Sequence, residues 1–241
     1  MSPSQGLMVA ANRDEFYDRP ARAPLLWTEG AVKILAPRDE QAGGTWIGFN
    51  SEGVFAGITN RFGAAPVSGA RSRGELVLRA LSYGSAEEAR QSFLRDGALN
   101  YCGFNLAVID RQSGFLLWMT GDENHIAELS PGLHILTERS LGTMDVARER
   151  VIRAKIKASA DVDSMLSLLS IHHESLGEGT CLHGDTFGYG TRSSMVVDLD
   201  ESWALRDARY SEGHPCNTRF EDFSELFHAL DGRYSLAREQ D

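Results

Sequence analysis

The chain has 241 residues, with 34 acidic against 24 basic side chains and a formal net charge of −10 at pH 7 with histidine neutral. That balance gives no field to draw the whole chain onto nucleic acid or anionic lipid, while 42% hydrophobic residues suffice for a core. Cys102, Cys181 and Cys216 are odd in number and lack a CxxC pair, which argues against a disulfide framework and a structural zinc site.

A single domain over residues 1–241 is expected, with no metal ligands assigned and a reducing, cytoplasmic setting. The N-terminus has no basic region followed by a long apolar run, and no stretch reads as a membrane span, so stable membrane insertion is not expected.

Leu7 to Ala11 read as a short buried strand that runs into Asn12, Arg13, Asp14 and Glu15, four hydrogen-bonding or charged groups at the rim of a core. Arg19 to Pro24 reads as a connection and Val32 to Leu35 as a strand ended by Pro37. Thr45–Phe49 and Val54–Thr59 read as a hairpin turning at Asn50-Ser51-Glu52-Gly53 and ending at Asn60. Ser72 with Glu75, and Ser85 with Glu88, have capping-box spacing, which predicts two helices closed by Gly84 and Gly97.

Phe104–Ile109 and Phe115–Met119 predict a second hairpin, followed by short strands at His125–Leu129 and Leu133–Thr137. Apolar spacing predicts helices over Asp145–Lys157 and Asp161–Ile171, and the His- and Gly-rich His172–Tyr189 stretch predicts a loop. Ser194–Leu199 with Trp203–Arg209 gives a last hairpin, and a helix around Phe220–Leu230 closes the chain. Hairpins without alternating βαβ units predict an α+β fold of mostly antiparallel sheets, packed sheet on sheet between helix layers.

The motif Asn12-Arg13-Asp14-Glu15 resembles the signature of the NRDE family, also called the transport-and-Golgi-organisation protein 2 family. Gly43-Gly44-Thr45-Trp46-Ile47-Gly48, Thr59-Asn60-Arg61, Ser72-Arg73-Gly74-Glu75-Leu76-Val77, Gly103-Phe104-Asn105-Leu106 and Tyr189-Gly190-Thr191-Arg192 resemble further family signatures in family order. The resemblance implies a four-layer αββα fold of the N-terminal nucleophile (Ntn) hydrolase type with its first strand apparently missing. In that fold a Cys, Ser or Thr at the mature chain start attacks an amide or ester carbonyl.

In that scheme Asn60 would be the oxyanion donor, Glu15 would orient the nucleophile's amine, and Arg192 would sit on a late strand near the site. Ser2 falls at the wrong end of its strand for a nucleophile, and Glu138 stands where the acylase-like group has an asparagine. Two readings follow: an acyl hydrolase of a non-peptide amide, ester or thioester whose Cys lies upstream, or a fold that keeps the pocket alone.

What the family is linked to, haem trafficking and lipid homeostasis, makes a soluble carrier of a small amphipathic molecule the leading expectation, with haem as cargo and no other cofactor. Asn12, Arg13, Asp14, Trp46, Arg61 and Asn105 are the candidate ligand-binding residues, with arginines suited to carboxylates. His125, His134, His172, His173, His183, His214 and Cys181 are the right types for iron, but none is in a motif. A protein-interaction role in membrane traffic through the basic stretch Arg148–Lys157 is a further reading. A homodimer could form through an open Leu7–Asn12 edge.

Overall fold

The computed structural model describes residues 6–64, 67–98, 100–120, 123–140, 146–156, 161–173, 178–230 and 234. Ser2 and the expected helix bounds Asp145 and Lys157 lie outside these residues.

In chain order the strands are β1 (Leu7–Phe16), β2 (Ala21–Glu29), β3 (Val32–Asp39), β4 (Ile47–Asn50), β5 (Phe55–Asn60), β6 (Phe104–Ile109), β7 (Gly114–Thr120), β8 (Glu123–Glu128), β9 (His183–Gly184), β10 (Tyr189–Leu199), β11 (Leu205–Glu212) and β12 (Glu221–Asp222). The helices are α1 (Gly74–Leu81), α2 (Ala86–Asp96), α3 (Val146–Lys155), α4 (Val162–Leu169) and α5 (Ser224–Leu230). Mixed α+β structure with antiparallel sheets is what the hairpin pattern predicts.

By contact clustering the described residues fall into two compact units, one formed by residues 24–144 and the other by 6–23 with 145–241. The first holds most of a seven-stranded sheet ordered β2-β3-β4-β5-β6-β7-β8. Its helices α1 and α2 bury Leu76, Val77, Ala80, Leu81, Ala89 and Phe93 against Ile34, Val54, Ala56, Leu106 and Val108 of the sheet. Burying each such aliphatic side chain contributes about 1.5–3 kcal/mol against chain entropy.

Two family signatures meet in this unit. A Cβ on Gly44 would lie 2.7 Å from the carbonyl carbon of Gly74, so the entry to β4 and the start of α1 touch backbone to backbone. Only glycine permits that approach.

Asn50 pins the β4–β5 turn. It is fully buried. Its Nδ2 donates to the carbonyls of Leu81 and Tyr83, both at 2.8 Å, and its Oδ1 accepts from the N–H groups of Glu52 at 3.0 Å and Val54 at 2.8 Å. The carboxamide thus joins the end of α1 to the hairpin.

The second unit holds a sheet ordered β1-β10-β11-β12, with β9 paired to the start of β10. Met165, Leu168 and Leu169 of α4 pack on Val196, with Met8 and Ala10 of β1 and Ile152 of α3 against the same cluster. Phe227 and Leu230 of α5 are buried beside Phe223, whose ring meets that of Tyr210 edge-on. Among the described residues β1 ends the sheet, and no helix is long and apolar enough to cross a membrane.

Several elements differ from expectation. β3 continues through Pro37 to Asp39, the 172–189 stretch expected as a loop carries β9 and leads into β10 already at Tyr189, and α5 starts only at Ser224, after the short strand β12. Residues 21–24 are strand, since β2 begins at Ala21. Leu133–Thr137 is irregular because its last carbonyl accepts from the side chains of Asn105 and Thr59 instead of a ladder. Arg73, not Ser72, precedes α1, and Ser72 Oγ accepts from Gly74 N at 3.3 Å instead of forming the expected box with Glu75. β1 runs five residues past Ala11, because the polar side chains of the motif have partners across the ladder. At α2 the N-cap half of the expected box forms, with Ser85 Oγ accepting from Glu88 N at 3.1 Å, while Glu88 reaches one residue further back to accept from Gly84 N at 3.0 Å.

Replacing Asn50 by Ala strips four backbone groups, two buried and two partly buried, of this partner. A loss of about 2–4 kcal/mol is expected, read as a lower urea midpoint at unchanged slope. A midpoint equal to that of the unmodified chain would show that the turn does not depend on this carboxamide.

Candidate functional site

Residues 12–15 lie on β1, paired antiparallel to β10 with Asn12 opposite Ser194 and Arg13 opposite Ser193. The next pair is Asp14 with Thr191, so Arg192 is an extra residue on β10, a β-bulge. Its guanidinium donates through Nη1 to the carbonyls of Phe16, at 3.2 Å, and Tyr17, and so wraps the end of β1.

The bulge brings two polar pairs into line. Asn12 Oδ1 accepts from Ser194 Oγ at 2.6 Å, and its Nδ2 donates to the carbonyls of Leu169 at 3.0 Å and Thr180 at 2.7 Å. Asp14 accepts from Thr191 Oγ1 at 2.6 Å, and that oxygen accepts in turn from Leu182 N at 2.8 Å. The motif's amide and carboxylate thereby hold the Thr180-Cys181-Leu182 segment from two points.

Arg13 is buried, with its guanidinium 3.8 Å from Glu15, and Arg19 approaches the same carboxylate at 3.7 Å. Glu15 also accepts from its neighbour's N–H, Phe16, at 2.9 Å.

The clamped segment presents a cluster that joins Cys181, His172, His183 and His214, named above only as types suited to iron, to Cys216. His183 Nε2 lies 3.5 Å from Cys181 Sγ and 3.1 Å from Cys216 Sγ. Its ring stacks on that of His214, centroids 3.9 Å apart, and meets His172 edge-on at 4.2 Å. Burial holds the His183 imidazole below its ordinary pKa, and His214 and His172 depress it further.

Tyr17 Oη donates to Asp185 at 2.7 Å and lies 3.3 Å from His214 Nε2. Burial and that carboxylate push the phenol up to about 12. A Cβ on Gly190 would fall 2.6 Å from Tyr17 Oη, 2.7 Å from the Leu182 carbonyl and 3.1 Å from His214 Cε1. The signature glycine therefore lets these three groups close up.

The remaining candidates sit in the other unit. Asn60 ends β5 with an exposed side chain. Arg61 donates to Asn105 Oδ1 at 2.9 Å, and the fully buried Asn105 donates to Thr59 Oγ1 at 3.1 Å and the Thr137 carbonyl at 3.2 Å. Trp46 is half-buried before β4, and its carbonyl accepts from Ile58 N. The structure thus groups Asn12, Arg13, Asp14, Glu15 and Arg192 in one unit, and Trp46, Asn60, Arg61 and Asn105 in the other.

Thr191, Thr180, Tyr17, Asp185 and Cys216 were not among the candidates. The Cys181-Leu182-His183 spacing was a partial signal, but its partners lie 33 residues on, after a full β10–β11 hairpin.

Two measurements check this geometry. Asn12→Ala removes two donors and one acceptor, so Cys181, 2% exposed, should react with a thiol reagent at least about fivefold faster through local opening of its segment; an unchanged rate rejects the clamp. Below the ordinary imidazole value of 6.5 an unfolded chain takes up a proton that folded His183 resists. Stability is then full above that pH and falls as pH drops through the depressed folded value. Melting temperatures from about pH 7.5 to about pH 5 should fall less steeply for His183→Gln than for the unmodified chain; equal slopes reject the assignment.

Comparison with known proteins matches residues 1–212 to the family model described as Transport and Golgi organisation 2. The bovine Transport and Golgi organization protein 2 homolog is 35% identical over 147 residues, 57% of this chain and 52% of its own length. The mouse and human homologs are 34% and 33% identical over 148 and 146 residues, again 57% of this chain and 52% of their own length. The chain thus spans about half the length of the curated relatives it matches. Two variants of conjugated bile acid hydrolase from Clostridium perfringens are similar structures at 8% identity, with TM-scores of 0.45 and 0.42, covering 93% and 92% of this chain and 86% and 84% of theirs. With its signatures in order and the family model matched over residues 1–212, the chain belongs to the Transport and Golgi organisation 2 family, the NRDE family.

Proposed function

We propose that this chain is a soluble carrier of a small amphipathic molecule, with haem as its cargo. The observation that carries the reading is an exposed aromatic rim at the end of the NRDE strand. Phe16 is 54% and Phe187 70% exposed. Phe16 rests edge-on against Tyr189 at 5.3 Å, and the Gly188 carbonyl after Phe187 accepts from Tyr17 N at 2.7 Å.

Exposed aromatic faces suit a flat apolar ring system, and a guanidinium such as that of Arg192 at the same strand end is the type of group that pairs with its carboxylates. Carriage is favoured over acyl transfer because Glu15 is engaged by two arginines and Asn60 is exposed, whereas an oxyanion donor acts best where water is excluded.

Titrating the purified chain with haemin should give a shifted Soret band that saturates at one equivalent. Phe16→Ser with Phe187→Ser should weaken Kd at least about tenfold, 1.4 kcal/mol, while circular dichroism stays unchanged. A linear, unsaturable absorbance for the unmodified chain rejects haem as cargo.

A further inference from the structure

We infer that Cys181, His183 and Cys216 form a binding site for one thiolate-preferring divalent cation, zinc in type, with a fourth position left to solvent or an exchangeable ligand. One ligand atom from each of the three residues lies within 4.8 Å of the others. Zinc bonds of about 2.3 Å to sulfur and about 2.0 Å to nitrogen put tetrahedral ligands roughly 3.5–3.8 Å apart. The His183–Cys181 separation of 3.5 Å is already of that size, and the 3.1 Å to Cys216 would open by about 0.4 Å on binding.

The donor set selects the ion. Two thiols with one imidazole favour a borderline-soft cation over magnesium or calcium, which require oxygen ligands. The site is distinct from haem carriage, because porphyrin iron accepts protein ligands only at two axial positions on opposite faces, whereas here three donors converge on one point.

On binding, each thiol would lose its proton to solvent, so that the two thiolates balance the ion's charge while the His183 imidazole offers its Nε2 lone pair. His214, stacked on His183, has a buried Nδ1 with no hydrogen-bond partner among the described residues.

The frame is built in advance. Asn12 and the Asp14–Thr191 pair fix the segment bearing Cys181 and His183. Cys216 sits in a turn closed by the amides of Asn217 and Thr218 on the His214 carbonyl, with Ser170 Oγ donating to Pro215 O at 3.0 Å. A bound ion would tie that turn to β9.

Cobalt(II) is the probe, added to the reduced, chelator-stripped full chain. A thiolate-to-cobalt charge-transfer band that saturates at one equivalent, and that zinc displaces, is expected. Cys216→Ser, on an exposed turn, should abolish the band with circular dichroism unchanged, whereas Cys102→Ser should retain it in full. No saturable band in the reduced unmodified chain overturns the site, as does a full band in Cys216→Ser. A Cys181–Cys216 disulfide that persists under a phosphine reductant overturns it too. Cobalt binding without haemin binding supports the site and removes only the carrier reading, and the converse result removes only the site.

Discussion

One carboxamide, that of Asn12, joins three parts of its unit at once: the end of α4 through Leu169, the segment before Cys181 through Thr180, and the neighbouring strand through Ser194. No other side chain of its size has two donors and two acceptor lone pairs in a plane. Aspartate would offer the two carbonyls nothing to accept, and serine would fall short of them. Each bond contributes about 1 kcal/mol net, but leaving the two carbonyls dry would cost more than that. The positions of Cys181, Leu182 and His183 follow from this anchor, and those side chains carry the unit's most distinctive chemistry.

The signature residues are in large part architecture. Gly44 and Gly74 allow two backbones to touch, Gly190 makes room for Tyr17 and His214, and Asn105 and Arg61 close a buried network. These are stringent local demands, which is why such strings stand out in a sequence: only one residue type meets each of them. Cys181 and His183 sit at and before β9, and Cys216 in the turn after β11, outside the signatures, where a rigid frame can display them.

Legibility followed the range of the interactions. The hairpins over 45–59 and 104–119 and the Ser85 cap of α2 are set by neighbours in sequence, and each is where periodicity and turn chemistry place it, whereas the last helix is shorter than its apolar spacing suggests. The length of β1 was hidden because Asn12 and Asp14 look like the end of a strand until Ser194 and Thr191, some 180 residues on, provide partners. The irregular path of 133–137 was equally hidden, since Asn105 takes the Thr137 carbonyl from a distance. Of the candidate site, the NRDE segment and Arg192 were legible; the Cys–His cluster depends on the β10–β11 hairpin returning Cys216 to His183.

The bulge at Arg192 sets the parity of everything before it on β10. Side chains of a strand alternate sides, so one extra residue reverses the sense of every earlier position. Thr191 meets Asp14 because of that reversal. Paired without a bulge, the same residues would set Arg192 opposite Asp14 and turn the threonine hydroxyl to the far side of the sheet, opposite Glu15. The count of residues in this stretch is therefore as much a part of the code as their identities.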